Sequence, residues 1–203
     1  MLTLTRRNGE RIKIGDDIEI TLVSVTGNRA RIGIRAPREL TIYRAEVVER
    51  IEEENQRALA ARFGQEQGPV VIKKEDILHF PEGLYGMRAH RQFILCDVGD
   101  DNVCRALVSL DDPNISLLVV DAEQVWANYP TDLARRAAGM RSRQVALAAV
   151  VTAPADNSPA TVNLAAPLVI DLETRQGKQV ILEHEELGIR HTMSGVMRVA
   201  KTG

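Results

Sequence analysis

The first 43 residues are divided by turn signals into short runs in which apolar and polar residues alternate. That punctuation leaves room for little besides small antiparallel strands. Leu2 and Leu4 alternate with Thr3 and Thr5 before Asn8-Gly9, a strong two-residue reversal. Ile12 and Ile14 precede Gly15-Asp16-Asp17, and Ile18, Ile20 and Leu22 precede Thr26-Gly27-Asn28. Ala30, Ile32 and Ile34 then alternate with Arg29, Arg31, Gly33 and Arg35, and after Ala36-Pro37 a last run carries Leu40 and Ile42. The pattern predicts five strands.

A helix follows over Ala45–Ala60, where Val47, Val48, Ile51, Ala58 and Leu59 recur at helical spacing. Glu46 to Arg50 and Glu53 to Arg57 add supporting pairs four residues apart. Five short strands and one marginal helix bury too little apolar surface to stand alone, and this segment has no cysteine and no plausible metal cage. Oligomerisation is the remaining staple, so the segment is expected to be an obligate homodimer with strands exchanged between chains.

Residues 61–69 lose the helical period and gather Gly and Pro, which places a linker there between a domain at 1–60 and a second at 70–203. The second domain offers strand runs at 70–72, 77–80, 92–96, 105–110, 116–120, 146–152, 160–164, 168–172 and 179–182, with one helical stretch over Thr131–Gly139. Many short strands with a single helix argue for an antiparallel β-barrel-like domain rather than a βαβ fold. The chain as a whole is expected to be mainly β.

Composition narrows function. Residues 1–44 hold nine basic against five acidic residues, whereas 45–60 hold five acidic against two basic, so the overall charge of −2 conceals a basic head. A basic module joined to an acidic remainder suggests polyanion binding by the head alone. Aromatic residues make up 3% of the chain, which weakens recognition by base stacking. No stretch has the roughly 18 apolar residues a membrane span needs, and the start lacks a signal-peptide core, so the expected address is cytoplasmic, with no membrane contact. Cys96 and Cys104 have no metal-site spacing.

Catalysis has no foothold. The chain lacks GxxxxGK[ST], GxGxxG, GxSxG and HExxH. His184-Glu185-Glu186 with His191 does not match a usual ligand spacing, and Asp111-Asp112-Pro113-Asn114 reads as an Asx turn. No enzyme activity, metal or cofactor is expected. The arginines say more: Arg6 and Arg7 end the first run, Arg38 follows the Ala36-Pro37 turn and Arg44 ends the fifth, so guanidinium groups suited to phosphate or guanine edges gather at strand ends.

Met1-Leu-Thr-Leu-Thr-Arg-Arg-Asn-Gly-Glu10, Ile14-Gly-Asp16, Gly27-Asn-Arg-Ala-Arg-Ile-Gly-Ile34, Ala36-Pro-Arg-Glu-Leu40 and Arg44-Ala-Glu46 resemble the carbon storage regulator family, CsrA or RsmA. The resemblance implies a strand-swapped homodimer whose two sites each hold a GGA element of an mRNA leader and repress its translation. It carries RNA contact to Leu4, Arg6, Arg7, Ile42 and Arg44, with the turn at Pro37 and Arg38 contributing.

Phe80-Pro-Glu-Gly-Leu-Tyr-Gly86, Leu107-Val-Ser-Leu-Asp-Asp-Pro-Asn-Ile-Ser116, Ala160-Thr-Val-Asn-Leu-Ala-Ala-Pro-Leu-Val-Ile170 and Gln179-Val-Ile-Leu182 resemble a different family, the flagellar assembly factor FliW. That resemblance implies binding of flagellin and, alternatively, of the carbon storage regulator. It further implies that the helix after the fifth strand is the docking surface between the two domains, with its acidic face and Asn55 as candidate contacts, the alternative being that Glu46–Glu54 are only solvated. Because helix and partner are both acidic, docking is expected to depend on apolar positions such as Ile51 or on local cations such as Arg88 and Arg91. The fusion suggests an RNA-binding half inhibited by its own chain until flagellin takes the other domain. The rival reading is a flagellin-binding chaperone or assembly scaffold in which the first domain only dimerises the chain.

Overall fold

The computed structural model describes residues 1–59, 72–98, 103–153 and 158–193, and these fall into two compact units that divide between Tyr43 and Arg44. The linker expected at 61–69 lies outside the described residues.

In the first unit, β1 (Arg11–Ile14), β2 (Ile18–Thr26) and β3 (Arg29–Arg35) form an antiparallel sheet in the order β1-β2-β3. Register sorts the two faces. Ile12, Ile20 and Ile34 lie in one row across the sheet and Lys13, Glu19 and Arg35 in the next, so one face is apolar and the other charged. β2 carries a bulge at Val23, between the pairs Leu22↔Ile32 and Ser24↔Arg31.

The expectation of five strands becomes three within one chain. The runs around Leu2–Leu4 and Leu40–Ile42 are not paired. Asn8-Gly9 still reverses the chain, with the Glu10 amide donating to the Arg7 carbonyl at 3.0 Å, but the next bonds, from the Gly9 amide to the Leu22 carbonyl and from the Leu22 amide to the Glu10 carbonyl, tie this turn to β2. Neither terminal run pairs with the free edge of β1 or β3. No residue of Met1–Tyr43 is buried, and Leu2, Leu4, Ile14, Ile32, Ile34 and Ile42 are all exposed.

The second unit is one antiparallel sheet: β4 (Leu78–His79), β5 (Gln92–Asp97), β6 (Cys104–Ser109), β7 (Ser116–Asp121), β8 (Val145–Thr152), β9 (Thr161–Asp171) and β10 (Gly177–Gln179) in spatial order, with β11 (His191–Thr192) pairing the start of β9. A bridge between His79 and Gln176, with the His79 amide donating to the Arg175 carbonyl at 2.9 Å, brings the two ends of the sheet together into a near-closed barrel. β7 is buried on both faces, Leu117 and Val119 in one core and Leu118 and Val120 in the other. That explains its continuous rather than alternating apolar run.

Two expectations for this unit change. The runs at 160–164 and 168–172 are a single strand, because residues 164–167 of β9 bulge opposite Ala149 alone and Pro167 sits where no ladder donor is required. The Pro167 carbonyl still accepts from the Val180 amide at 3.1 Å. Instead of one helix between strands there are two short ones, α2 (Ala122–Val125), capped by the Asp121 side chain accepting from the Glu123 amide, and α3 (Thr131–Ala137). The helix α1 (Ala45–Leu59) also packs within this unit, with Ala58 joining the core formed by Phe80, Phe93, Leu107 and Leu168.

Candidate functional site

The inner face of α1 is unusual in its chemistry. Ile51, Glu54, Asn55 and Ala58 are buried, the i, i+3, i+4, i+7 stripe of an amphipathic helix, yet the two central positions are polar. Glu46, Glu49 and Glu53 point to solvent on the other side. A stripe of this kind is stable only where each polar group meets a partner.

Asn55 meets its match in Gln179, at the end of β10. Asn55 Nδ2 donates to Gln179 Oε1 at 3.0 Å and to the Tyr85 carbonyl at 2.9 Å. Gln179 Oε1 also accepts from the Tyr85 amide at 3.0 Å, and its Nε2 donates to the Ala166 carbonyl at 3.2 Å and, at 3.5 Å, to Asn55 Oδ1. Two buried amides thus satisfy each other and the turn at Tyr85 together.

One residue earlier, Glu54 is 2% exposed. Its Oε1 accepts from the Thr152 hydroxyl at 2.9 Å and its Oε2 from Arg190 Nε at 2.7 Å, with Arg57 at 3.9 Å. Gly86 completes the contact: its carbonyl accepts from Gln56 Nε2 at 2.7 Å. Gly86 sits at φ +76°, and a Cβ there would lie 3.2 Å from Gln56 Nε2 and 3.3 Å from the Glu52 carbonyl. Only glycine suits both the backbone and the approach of the helix.

At the other end of α1, Arg44 forms an ion pair with Glu183 at 3.6 Å. Both side chains are largely in water, so the pair is worth little as stability. Its interest is that Arg44 is one of the arginines expected to hold RNA. The other expected RNA contacts all lie in the first unit: Leu4, Arg6 and Arg7 on the extended lead segment, Pro37 and Arg38 on a turn closed by the Leu40 amide donating to the Pro37 carbonyl at 3.1 Å, and Ile42 on the unpaired tail. Arg6, Arg7 and Arg38 are exposed, as are Leu4 and Ile42.

Of Arg88 and Arg91, expected as docking cations, Arg88 lies over the ring of Tyr85, 5.4 Å from its centroid, and Arg91 donates its backbone amide to Asp111 Oδ2; neither forms an ion pair with α1 among the described residues. The cation that α1 meets is Arg190. Gln179, Tyr85, Gly86, Thr152, Arg190 and Glu183 were not anticipated from sequence, and their distance from α1 along the chain explains why.

Asp111 is a loop anchor. Its carboxylate accepts from the Gln92 and Arg91 amides, and these bonds hold its pKa below the ordinary value. The Asn114 amide donates to Asp112 Oδ1 at 3.0 Å, the expected Asx turn. Burial pushes the Tyr129 hydroxyl well up, and it donates to the Leu164 carbonyl. Among the described residues no group of three or more His, Cys, Asp or Glu side chains could hold a metal. His184 Nδ1 accepts from the Glu186 amide while His191 stacks edge-on against Trp126.

Comparison with known proteins also finds two parts in the chain, with a different boundary. A family model described as FliW protein matches residues 64–193, and one described as global regulator protein family, CsrA, matches residues 1–53. The chain is 36% identical over 124 residues to a flagellar assembly factor FliW of Symbiobacterium thermophilum, covering 59% of this chain and 90% of that protein. It is 59% identical over 58 residues to a translational regulator CsrA of Syntrophomonas wolfei, covering 29% of this chain and 76% of that protein. A crystal structure of the flagellar assembly factor FliW superposes with a TM-score of 0.52 at 25% identity, covering 62% of this chain and 91% of the other.

Proposed function

From the premise that this chain belongs to the FliW protein family and carries a CsrA-family domain at its head, we propose that it is a translational regulator with a built-in antagonist. The head binds GGA elements in mRNA leaders and represses translation, that of flagellin mRNA in particular, in the cytoplasm. The FliW-like domain restrains that binding, and flagellin releases the restraint by occupying the FliW-like domain. The protein acts as a homodimer through residues 1–60, joined by 61–69 to the domain at 70–203.

The observation that carries this reading is α1. This helix follows directly on Arg44 and is held against the β-domain by buried Asn55 and Glu54, each with partners drawn from that domain. A helix so placed couples the domain that follows it to the arginine that precedes it, and Glu183 occupies that arginine with an acidic group where RNA would present phosphate. Dimerisation is supported by the first unit itself. A sheet with no buried residue and two unpaired flanking runs gains core and edge partners together from a second copy.

The test is the affinity of the full chain for a GGA hairpin, measured with and without flagellin and against the same hairpin with GGA replaced. Flagellin should raise the affinity for the GGA hairpin alone. Unchanged affinity on saturation with flagellin would contradict the proposal.

A further inference from the structure

The charged face of the N-terminal sheet is not used by the strand-end site just described, and its composition is one-sided. Arg11 and Lys13 on β1 and Arg29, Arg31 and Arg35 on β3 share this face with Glu19 on β2. The rows fix that assignment: Lys13, Glu19 and Arg35 are mutual neighbours across the sheet, as are Arg11, Thr21 and Gly33, and the period of two along β3 places Arg29 and Arg31 with them. Ile12, Ile20, Ile32 and Ile34 take the other face, and the bulge residue Val23 is the one large apolar side chain placed on the charged face, beside Gly33.

The single acidic residue is already engaged, with Arg11 at 3.4 Å and Glu19 itself only 18% exposed at the side chain. Lys13, Arg29, Arg31 and Arg35 are exposed, and among the described residues none of the four has an ion-pair partner. Four uncompensated cations on one small sheet repel one another, and an ordinary solvated surface mixes signs to avoid that.

We infer that this face is a second, sequence-independent RNA contact, a track for the phosphate backbone flanking the element held at the strand ends; the inference rests on the RNA-binding reading above. The shape of the face favours backbone over bases. It has no aromatic residue to stack on, and Gly33, Thr21 and the bulge residue Val23 at its centre present small groups rather than a pocket. On β3 the arginines recur at two- and four-residue steps over a strand about 20 Å long, a row suited to a polymer that repeats its charge rather than to one anion. Continuity with the strand-end site is built into the chain, since Arg35 leads through Ala36-Pro37 to Arg38 and Arg7 leads through the Asn8-Gly9 turn to Arg11. RNA gripped by Arg7 and Arg38 is therefore delivered to the edges of this face.

The test uses the full chain and its Lys13→Gln, Arg31→Gln, Arg35→Gln triple variant. Each is titrated with a minimal GGA hairpin, with the hairpin carrying single-stranded extensions on both sides, and with the extended RNA lacking GGA, across a range of salt. The variant should bind the minimal hairpin as the wild type does and bind the extended RNA more weakly. Its log–log salt slope on extended RNA should be smaller by about 2, since each lost phosphate contact on single strands removes roughly 0.7. Equal affinities and slopes for the extended RNA would overturn the inference, as would an equal loss on both GGA RNAs, which would place these residues in the strand-end site or in the fold. A wild type indifferent to GGA would instead contradict the strand-end reading, while the comparison of variant with wild type on extended RNA would still decide the face.

Discussion

Glu54 sets the terms for α1 at the scale of single residues. A carboxylate 2% exposed on a docked helix is tolerable only because Thr152 and Arg190 both donate to it. Replacing it with alanine strands the Thr152 hydroxyl and leaves Arg190 without its partner. Arg190 is half exposed and can return to water, so the cost is about 1–3 kcal/mol, the range for lost hydrogen bonds, rather than that of breaking a fully buried ion pair. The amides of α1 in Glu54→Ala should exchange with solvent correspondingly faster, while those of β6 and β7 hold their protection. Unchanged exchange in α1 would mean that Glu54 does not hold the helix. Sequence alone offers Glu54 only as one member of an acidic face from Glu46 to Glu54 and does not mark it as the one that is buried. Resemblance points to Asn55, and the like sign of helix and partner points to Ile51; the helix buries both. Their partners could not be read, because Gln179 is 124 residues from Asn55 and Arg190 is 136 from Glu54, and no local pattern spans such distances.

Elements were legible to different degrees, for physical reasons. β5, β6, β7 and β8 are legible within about a residue because each is bounded by turn chemistry, and α1 because Val47, Val48, Ile51, Ala58 and Leu59 keep one helical period across its polar centre. β9 was read as two strands because proline normally ends one, and only the bulge opposite Ala149 reconciles Pro167 with an unbroken strand. The unpaired runs at either end of the first unit show the opposite failure: their alternation is genuine, but a strand also needs a partner, and alternation cannot say which chain supplies it. At this scale the turn carrying Gly86 is the element most exposed to test. Gly86→Ala adds a methyl group in a left-handed backbone conformation and 3.2–3.3 Å from α1, whereas Gly139→Ala has φ +71° with nothing within 4 Å. Both should lose about 1–2 kcal/mol to the backbone, but Gly86→Ala should lose more and should also loosen α1. Urea melts followed by the lone tryptophan, Trp126, measure the first, and exchange in α1 the second. Equal losses, with α1 unaffected, would remove the turn from the docking surface.

The whole molecule joins two families whose division along the chain does not coincide with its division in space. The CsrA match ends at Asn55's neighbourhood, residue 53, whereas the compact units part at Tyr43, so α1 begins in one family's sequence and packs in the other family's core. Under the proposed function, that mismatch is what would let a single chain regulate itself. If α1 were merely the tail of the first domain, its inner face would have no reason to carry Glu54 and Asn55 in place of apolar residues. If it were merely a strut of the second, Arg44 at its head would have no reason to match an RNA contact. The most direct measurement is the affinity of the full chain for a GGA hairpin, wild type against Asn55→Ala, in the absence of flagellin. Losing the Asn55 bonds to Gln179 and Tyr85 should free α1 by about 1–3 kcal/mol and tighten RNA binding by roughly tenfold. Equal or weaker binding by the variant would show that the docked helix does not restrain the RNA site.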